Sequence, residues 1–472
     1  MLHKHIQTVF LEKLGHQPTS CQTSAIEGLS KFIASTDEDL TYLLKGYAGT
    51  GKTSLVAALI QALGEFKMKS VLLAPTGRAA KVLSGYAHKQ AYTIHKKIYR
   101  QRSAKDGFGS FNLDANLHKD TVFIVDEASM IANQSYDNAV FGSGRLLDDL
   151  IQYVFNGRNC KLILIGDLAQ LPPVKMDLSP ALNQKELETY GLKLSASMLK
   201  TVVRQSEFSG ILHNATILRQ ALNSENKVPH FDVRDYEDVI RLSGEDLVET
   251  ISSSYDKYGI EGVMVVTRSN KRANLFNQGI RSQILWKEEE ISRDDYIMVV
   301  KNNYYWAGDM EELDFIANGD IGQVVSIHGY EERYGLRFAN ITLRMPDYKD
   351  IEIDCKVMLD TLSMETPALP QEKNKDLFYS VFDDYEDTPN KKKRYEKVKS
   401  DPFFNALQIK YAYAVTCHKA QGGQWPVIFV DHGFLNQDNL NDDFLRWLYT
   451  AFTRPTKKIY LVNFHKLFFE KP

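Results

Sequence analysis

The run Gly46-Tyr47-Ala48-Gly49-Thr50-Gly51-Lys52-Thr53 constrains this chain more than any other stretch. The apolar Tyr42-Leu43-Leu44 before it reads as a buried strand, and Ser54 to Ile60 after it reads as a helix. A strand that turns through glycines into a helix N-terminus aims successive backbone N–H groups at one anion. The helix adds the positive end of its dipole. The pattern is the phosphate-cradling G-x-x-x-x-G-K-[ST] loop. Lys52 is placed to reach the β- and γ-phosphates and Thr53 to hold Mg²⁺. Gly46, Ala48, Gly49, Thr50, Gly51 and Ser54 complete the cradle. The expected fold class is therefore α/β, with the ligand at the carboxyl edge of a parallel sheet.

At 472 residues the chain has room for roughly three domains. Its four cysteines, Cys21, Cys160, Cys355 and Cys417, form no C-x-x-C pair. That spacing argues against zinc and against a disulfide framework, and suits a reducing cytoplasm. No apolar stretch approaches membrane-spanning length, and Met1 to His5 lacks the apolar core of a signal peptide. The net charge of −3 announces no polyanion partner, so a nucleic acid must meet a local basic groove.

Upstream of the glycine-rich loop, Thr19 or Ser20 is a candidate helix cap, with Gln22 in the first turn. The Gln22 amide matches the N6/N7 edge of adenine, and a solvated helix residue is the other reading. Downstream, Val71 to Ala74 reads as a strand opening onto Pro75-Thr76-Gly77-Arg78-Ala79-Ala80-Lys81, and Thr93-Ile94-His95 repeats that setting. Residues 99–120 turn polar around Gly107 and Gly109, with Phe108 and Phe111 beside them. They read as a projecting β-hairpin whose exposed aromatics stack on a base, or as an irregular surface loop. Val122 to Val125 is a strand followed by Asp126-Glu127, one carboxylate for Mg²⁺ and one to orient and deprotonate a water. Leu162 to Ile165 is another strand, ending in Gly166-Asp167-Leu168-Ala169-Gln170-Leu171-Pro172-Pro173. Gln170 there is placed to sense the terminal phosphate.

In this order, the glycine-rich loop, Ala74 to Lys81, Asp126 to Met130 and Gly166 to Val174 resemble a superfamily 1 helicase of the 5′–3′, RecD-like and Dda-like group. The resemblance implies a second domain. Val202-Val203-Arg204-Gln205 matches a motif whose arginine meets the γ-phosphate. Asn277-Gln278-Gly279-Ile280-Arg281 matches a nucleic-acid-facing helix. Tyr411 to Gly422 matches a motif carrying Thr416 and His418, with Gln424 where the group has a ribose-holding Glu. Leu448 to Arg454 matches the motif ending in the arginine finger, Arg454.

The expected architecture is two RecA-like P-loop domains, the first at 1–199 with the hairpin pin at about 99–120. The second comprises 200–295 and 403–472. A small SH3-like β-barrel is expected as an insert at 296–402, with a charged arm over about 361–402, solvated on its own composition. ATP and Mg²⁺ are the expected cofactors. Lys52, Glu127, Gln170, Arg204 and Arg454 are the expected catalytic set, with Thr53 and Asp126 as metal ligands. Pro75, Thr76, Arg78, Thr93, His95, Phe108, Phe111, Asn277, Arg281, Thr416 and His418 are the expected nucleic-acid contacts. The implied activity is ATP-dependent 5′–3′ translocation on single-stranded DNA and duplex unwinding, in replication, recombination or repair. RNA unwinding and protein remodelling by a P-loop ATPase are the alternatives. Single strands and duplex junctions are the expected partners, with replication or recombination proteins, and the chain is expected to be a monomer.

Overall fold

The computed structural model describes residues 2–101, 111–134, 141–203, 209–307, 313, 315–435 and 440–469. Phe108 and Arg204 lie outside these residues, as does the tip of the expected hairpin.

In the first part of the chain, β1 (Leu40–Gly46), β2 (Lys69–Ala74) and β3 (Ala91–Thr93) are followed by a short antiparallel pair, β4 (Tyr99–Gln101) and β5 (Phe111–Leu113). Then come β6 (Thr121–Val125), β7 (Lys161–Gly166) and β8 (Lys193–Leu199). The parallel sheet runs β3-β2-β6-β7-β1-β8, which puts the ends of β1, β6 and β7 side by side. These strands are apolar at nearly every position because helices cover both faces. Side chains alternate between them: Tyr42, Leu44, Ile124, Ile163 and Ile165 enter one core. Leu43, Phe123, Val125, Leu162 and Leu164 enter the other.

The second parallel sheet takes the order β16-β10-β17-β18-β9, from β9 (Val239–Leu242), β10 (Val263–Thr267), β16 (Ala414–Thr416), β17 (Trp425–Asp431) and β18 (Pro455–Val462). Between its strands in sequence, β11 (Tyr296–Val299), β12 (Ile321–Arg333), β13 (Leu336–Met345), β14 (Ile351–Met358) and β15 (Leu407–Tyr411) close into a barrel. Residues that read as the start of the second domain's return, 407–411, are thus the barrel's closing strand. The expected boundary at 402/403 moves accordingly. Barrel and sheet share one core, in which Ile297, Val324, Ile341 and Ile409 meet Val265, Phe429 and Tyr413.

The charged segment between β14 and β15 is not a solvated arm. Its helices Gln371–Asp383 and Lys391–Lys399 turn Leu377, Val381 and Val398 onto Leu336, Phe338 and Met358 of the barrel. Leu377 and Val381 are four residues apart on one face, so the high charge describes only the outer surface. All four cysteines are free thiols. Among the described residues, no helix is long and apolar enough to cross a membrane.

Candidate functional site

The loop after β1 feeds the helix Lys52–Glu65, and Gly49 and Gly51 both take positive φ, 72° and 77°. A Cβ on Gly51 would lie 2.4 Å from Gln22 Nε2, so only glycine fits that approach. Lys52 Nζ donates to the carbonyls of Gly46 (2.7 Å) and Tyr47 (2.9 Å) and stands 3.8 Å from Asp167 Oδ2. The Thr53 and Ser54 side chains are exposed in the first helical turn.

Gln22 sits behind this loop. It is 0% exposed, and both ends of its amide are engaged by protein. Oε1 accepts from the Thr19 N–H (2.9 Å), closing a capping box for the helix Ser20–Ala34. Nε2 donates to the Thr50 carbonyl (3.1 Å). The side chain is not solvated, and it fastens a helix to the phosphate loop; one lone pair of Oε1 and one N–H of Nε2 are left over from these two bonds.

The carboxylates at the end of β6 are held differently. Asp126 Oδ2 accepts from the Tyr86 hydroxyl (2.5 Å) and Oδ1 from the Glu127 N–H (2.8 Å). Burial, then the Asp126 charge, push the Tyr86 phenol far up, so it remains a donor. Glu127 adopts the left-handed conformation, φ 51° and ψ 36°, a strained backbone of the kind that clusters at functional sites. Burial pushes its carboxyl up while Arg454 pulls the other way. A carboxylate raised toward neutrality is a stronger base than an ordinary glutamate.

The opposite wall comes from the second domain. Arg454, just past the helix Asp442–Phe452, is 3% exposed. Its guanidinium donates to the carbonyls of Thr450 (3.1 Å) and Gly423 (3.3 Å) and to Thr453 Oγ1 (2.8 Å). That fork aims Nη1 across the cleft, 3.9 Å from Glu127 Oε1. Gln170 is buried on the first wall with no hydrogen-bond partner for Oε1. An orphaned buried amide oxygen in such a cleft fits a site that takes a polar ligand. The donors expected for a metal are the Thr53 hydroxyl and the Asp126 carboxylate, the latter oriented by Tyr86 and the Glu127 N–H. No group of three or more His, Cys, Asp or Glu side chains is assembled for a metal among the described residues. That sparse set suits Mg²⁺, which keeps waters and phosphate oxygens in its shell. Gln424 is exposed beside Gly423.

The expected nucleic-acid contacts divide. Pro75 and Thr76 follow β2, Thr93 ends β3, and Thr416 ends β16, all at the carboxyl edges of the sheets. Thr76 and Thr93 cap helices by accepting from the N–H groups of Ala79 (3.2 Å) and Lys96 (3.1 Å). His418 is exposed on the following short helix. Arg78 instead lies 4.0 Å over the Trp425 ring and joins the two domains. His95 packs edge-on against Phe141, and burial lowers its pKa to about 4, which keeps it neutral.

Three expectations need correction. Phe111 is not an exposed tip: it is half-buried at the hairpin base, stacked on Phe141 (4.7 Å) and against Tyr304 of the insert (4.4 Å). Asn277 is buried, donating to the Tyr411 and Ala414 carbonyls and accepting from the Tyr413 and Ala414 N–H groups. It satisfies the backbone between β15 and β16, where each orphaned group would cost about 1–3 kcal/mol. Arg281 is buried in a bidentate pair with Asp295 and a bond to the Tyr411 hydroxyl. Both side chains are thus engaged by groups of the chain itself.

Two functional positions were not singled out from sequence. Asp167 and Tyr449 hydrogen-bond across the domains at 2.7 Å, beside Lys52. Both stand inside motif runs, but neither run reveals that they meet.

Residues 22–232 match the family model of an AAA domain, and residues 411–462 that of a UvrD-like helicase C-terminal domain. Over 297 residues the chain is 28% identical to the ATP-dependent DNA helicase dda of Enterobacteria phage T4, covering 60% of each chain. Over 171 residues it is 31% identical to the ATP-dependent RecD2 DNA helicase of Deinococcus radiodurans, covering 35% of this chain and 21% of that one. By these two family models and these relatives the chain is similar to superfamily 1 helicases of the Dda-like and RecD-like group. It spans about three-fifths of the length of the phage relative. A solved structure of two Pif1 helicases at forked duplex DNA aligns over 97% of this chain and 95% of that one, with 15% identity and a TM-score of 0.48.

At this site, Glu127→Gln is expected to retain nucleotide binding and to lower turnover by at least ~10²-fold, the low end for losing a general base. Steady-state hydrolysis with a parallel binding titration measures both. A collapse in nucleotide affinity would make Glu127 a structural or metal-shell residue instead.

Proposed function

We propose that this chain is an ATP-driven DNA helicase that moves 5′ to 3′ along a single strand and unwinds duplex ahead of it, in replication, recombination or repair. The carrying observation is the approach of Arg454, from one domain, to within 3.9 Å of Glu127, in the other. Charge spread over a transferring phosphoryl group calls for donors on both sides, and here they belong to bodies that can separate.

Lys52 leaves the loop carbonyls it now bonds and follows the phosphates. Glu127 orients the attacking water and accepts its proton, and Arg454 meets the charge that develops on the far side. Mg²⁺, held through Thr53 and Asp126, would neutralise phosphate charge. Gln170 uses its free oxygen to register the terminal phosphate, and Arg204 is proposed to reach it from the second domain. Product release removes the reason for the walls to stay together, so the cleft opens.

The strand is proposed to cross the carboxyl edges of both sheets, held by Pro75, Thr76 and Thr93 on the first and by Thr416 and His418 on the second. A Cβ on Gly422 would lie only 3.2 Å from Thr76 Oγ1, so the two sets of contacts adjoin. Cleft opening changes their separation, and alternate grip turns that change into a step. The named relatives are DNA helicases and support the choice of DNA; the direction rests on the motif resemblance alone, and no residue spacing supplies a polarity. The hairpin of β4 and β5 is proposed as the wedge, with its base braced by the Phe111, Phe141 and Tyr304 stack.

Duplexes carrying one single-stranded tail test this reading. Unwinding is expected from 5′ tails, with hydrolysis stimulated by single-stranded DNA. Unwinding from 3′ tails alone would overturn the direction. Equal activity on RNA would overturn the substrate, and unstimulated hydrolysis the helicase assignment.

A further inference from the structure

The Tyr449 phenol lies where the two nucleotide walls meet and has no part in the chemistry derived above. It sits on a face of the helix Asp442–Phe452 that docks on the loop after β7. On that face Arg446 donates to the Leu168 carbonyl, and Thr450 Oγ1 accepts from the Leu171 N–H at 2.8 Å. The phenol oxygen accepts from the Ala48 N–H at 2.8 Å and donates to Asp167 Oδ2 at 2.7 Å. Tyr449 is 1% exposed, so both bonds are shielded from water.

Ala48 belongs to the phosphate-binding loop, whose backbone N–H groups are its anion donors. One amide hydrogen cannot serve a phenol and a phosphate oxygen at full strength. The phosphate oxygen is charged and makes the stronger bond. We propose that Tyr449 is a positioning residue that occupies the Ala48 N–H in place of a phosphate oxygen, and that a bound triphosphate displaces it. The second domain then registers the state of the loop through one hydrogen bond. Displacement leaves Tyr449 attached to Asp167, whose carboxylate is 3.8 Å from Lys52, and moves a helix that ends two residues before Arg454.

The inference rests on reading the loop as an ATP site. Its test is the affinity of the full chain for ADP and for a non-hydrolysable β,γ-imido analogue of ATP, in wild type, Tyr449→Phe and Arg446→Ala. Tyr449→Phe removes the competing acceptor and keeps the ring. It is expected to bind the analogue about threefold to tenfold more tightly, the worth of one hydrogen bond. Arg446→Ala loosens the same helix without touching Ala48 and is expected to bind as wild type does. An unchanged or weaker affinity in Tyr449→Phe overturns the inference, as does equal tightening in Arg446→Ala, which would mean that a looser interface is the cause. Wild type that binds neither nucleotide would sink the ATP-site reading itself. Should Tyr449→Phe not fold, 3-fluorotyrosine at position 449 keeps the hydroxyl. Its ¹⁹F resonance is expected to move at saturating analogue, and an unmoved resonance overturns displacement.

Discussion

Lys52→Ala is expected to leave the protein folded and to reduce ATP hydrolysis by at least ~10²-fold, the loss seen when one preorganised donor to a developing oxyanion is removed. The lysine starts its helix, and its ammonium lies among the Gly46 and Tyr47 carbonyls and the Asp167 carboxylate. It is thus a mobile cation positioned by the loop it serves. Removing it leaves β1 and its buried neighbours in place, because Tyr42, Leu43 and Leu44 hold that strand. Thermal unfolding is therefore expected near wild type. Hydrolysis within tenfold of wild type, in preparations free of contaminating ATPase, would show that the loop is not the catalytic phosphate site.

Arg454→Ala is expected to lower turnover by roughly 10³-fold, as for an arginine finger acting within one chain. The guanidinium is oriented by three acceptors of its own domain before it reaches toward Glu127. Arg454→Lys keeps a charge but loses the planar fork, so it is expected to recover only part of the loss. The alanine variant also takes the Arg454 donor from the Gly423 carbonyl, so a melt must accompany the kinetics. Binding of a single strand without nucleotide is expected to survive. A variant that keeps hydrolysis and loses strand binding would move Arg454 out of the cleft.

The two predictions draw on different kinds of information. Lys52 could be placed from sequence because its geometry is local: glycines with positive φ, a strand before and a helix after, all within about a dozen residues. Asp126 and Glu127 were legible for the same reason, at the end of a continuous apolar strand. The parallel sheets follow from such runs, since strands buried on both faces need apolar residues at every position.

Polar residues on helices carried no comparable signal. Asn277 and Arg281 are four apart and share one helix face, but spacing does not say whether that face meets solvent, a strand of nucleic acid or the chain itself. Tertiary packing turned it inward, onto the β15–β16 backbone and Asp295. The charged helices between β14 and β15 hid their packing in the same way, behind a polar outer face. The closing strand β15 could not be told from a strand of the second sheet, because apolar strands look alike until their partners are known.

The sequence by itself determined the phosphate loop and the carboxylate pair at the end of a buried strand, both carried by short local patterns, while the second domain and the role proposed for Arg454 came from the motif resemblance. Only the tertiary structure decided that Gln22 braces that loop, that Phe111 is packed, and that Tyr449 reaches Ala48 from 401 residues away. Hydrogen bonds between distant segments depend on how two domains pack, and neither segment encodes that alone.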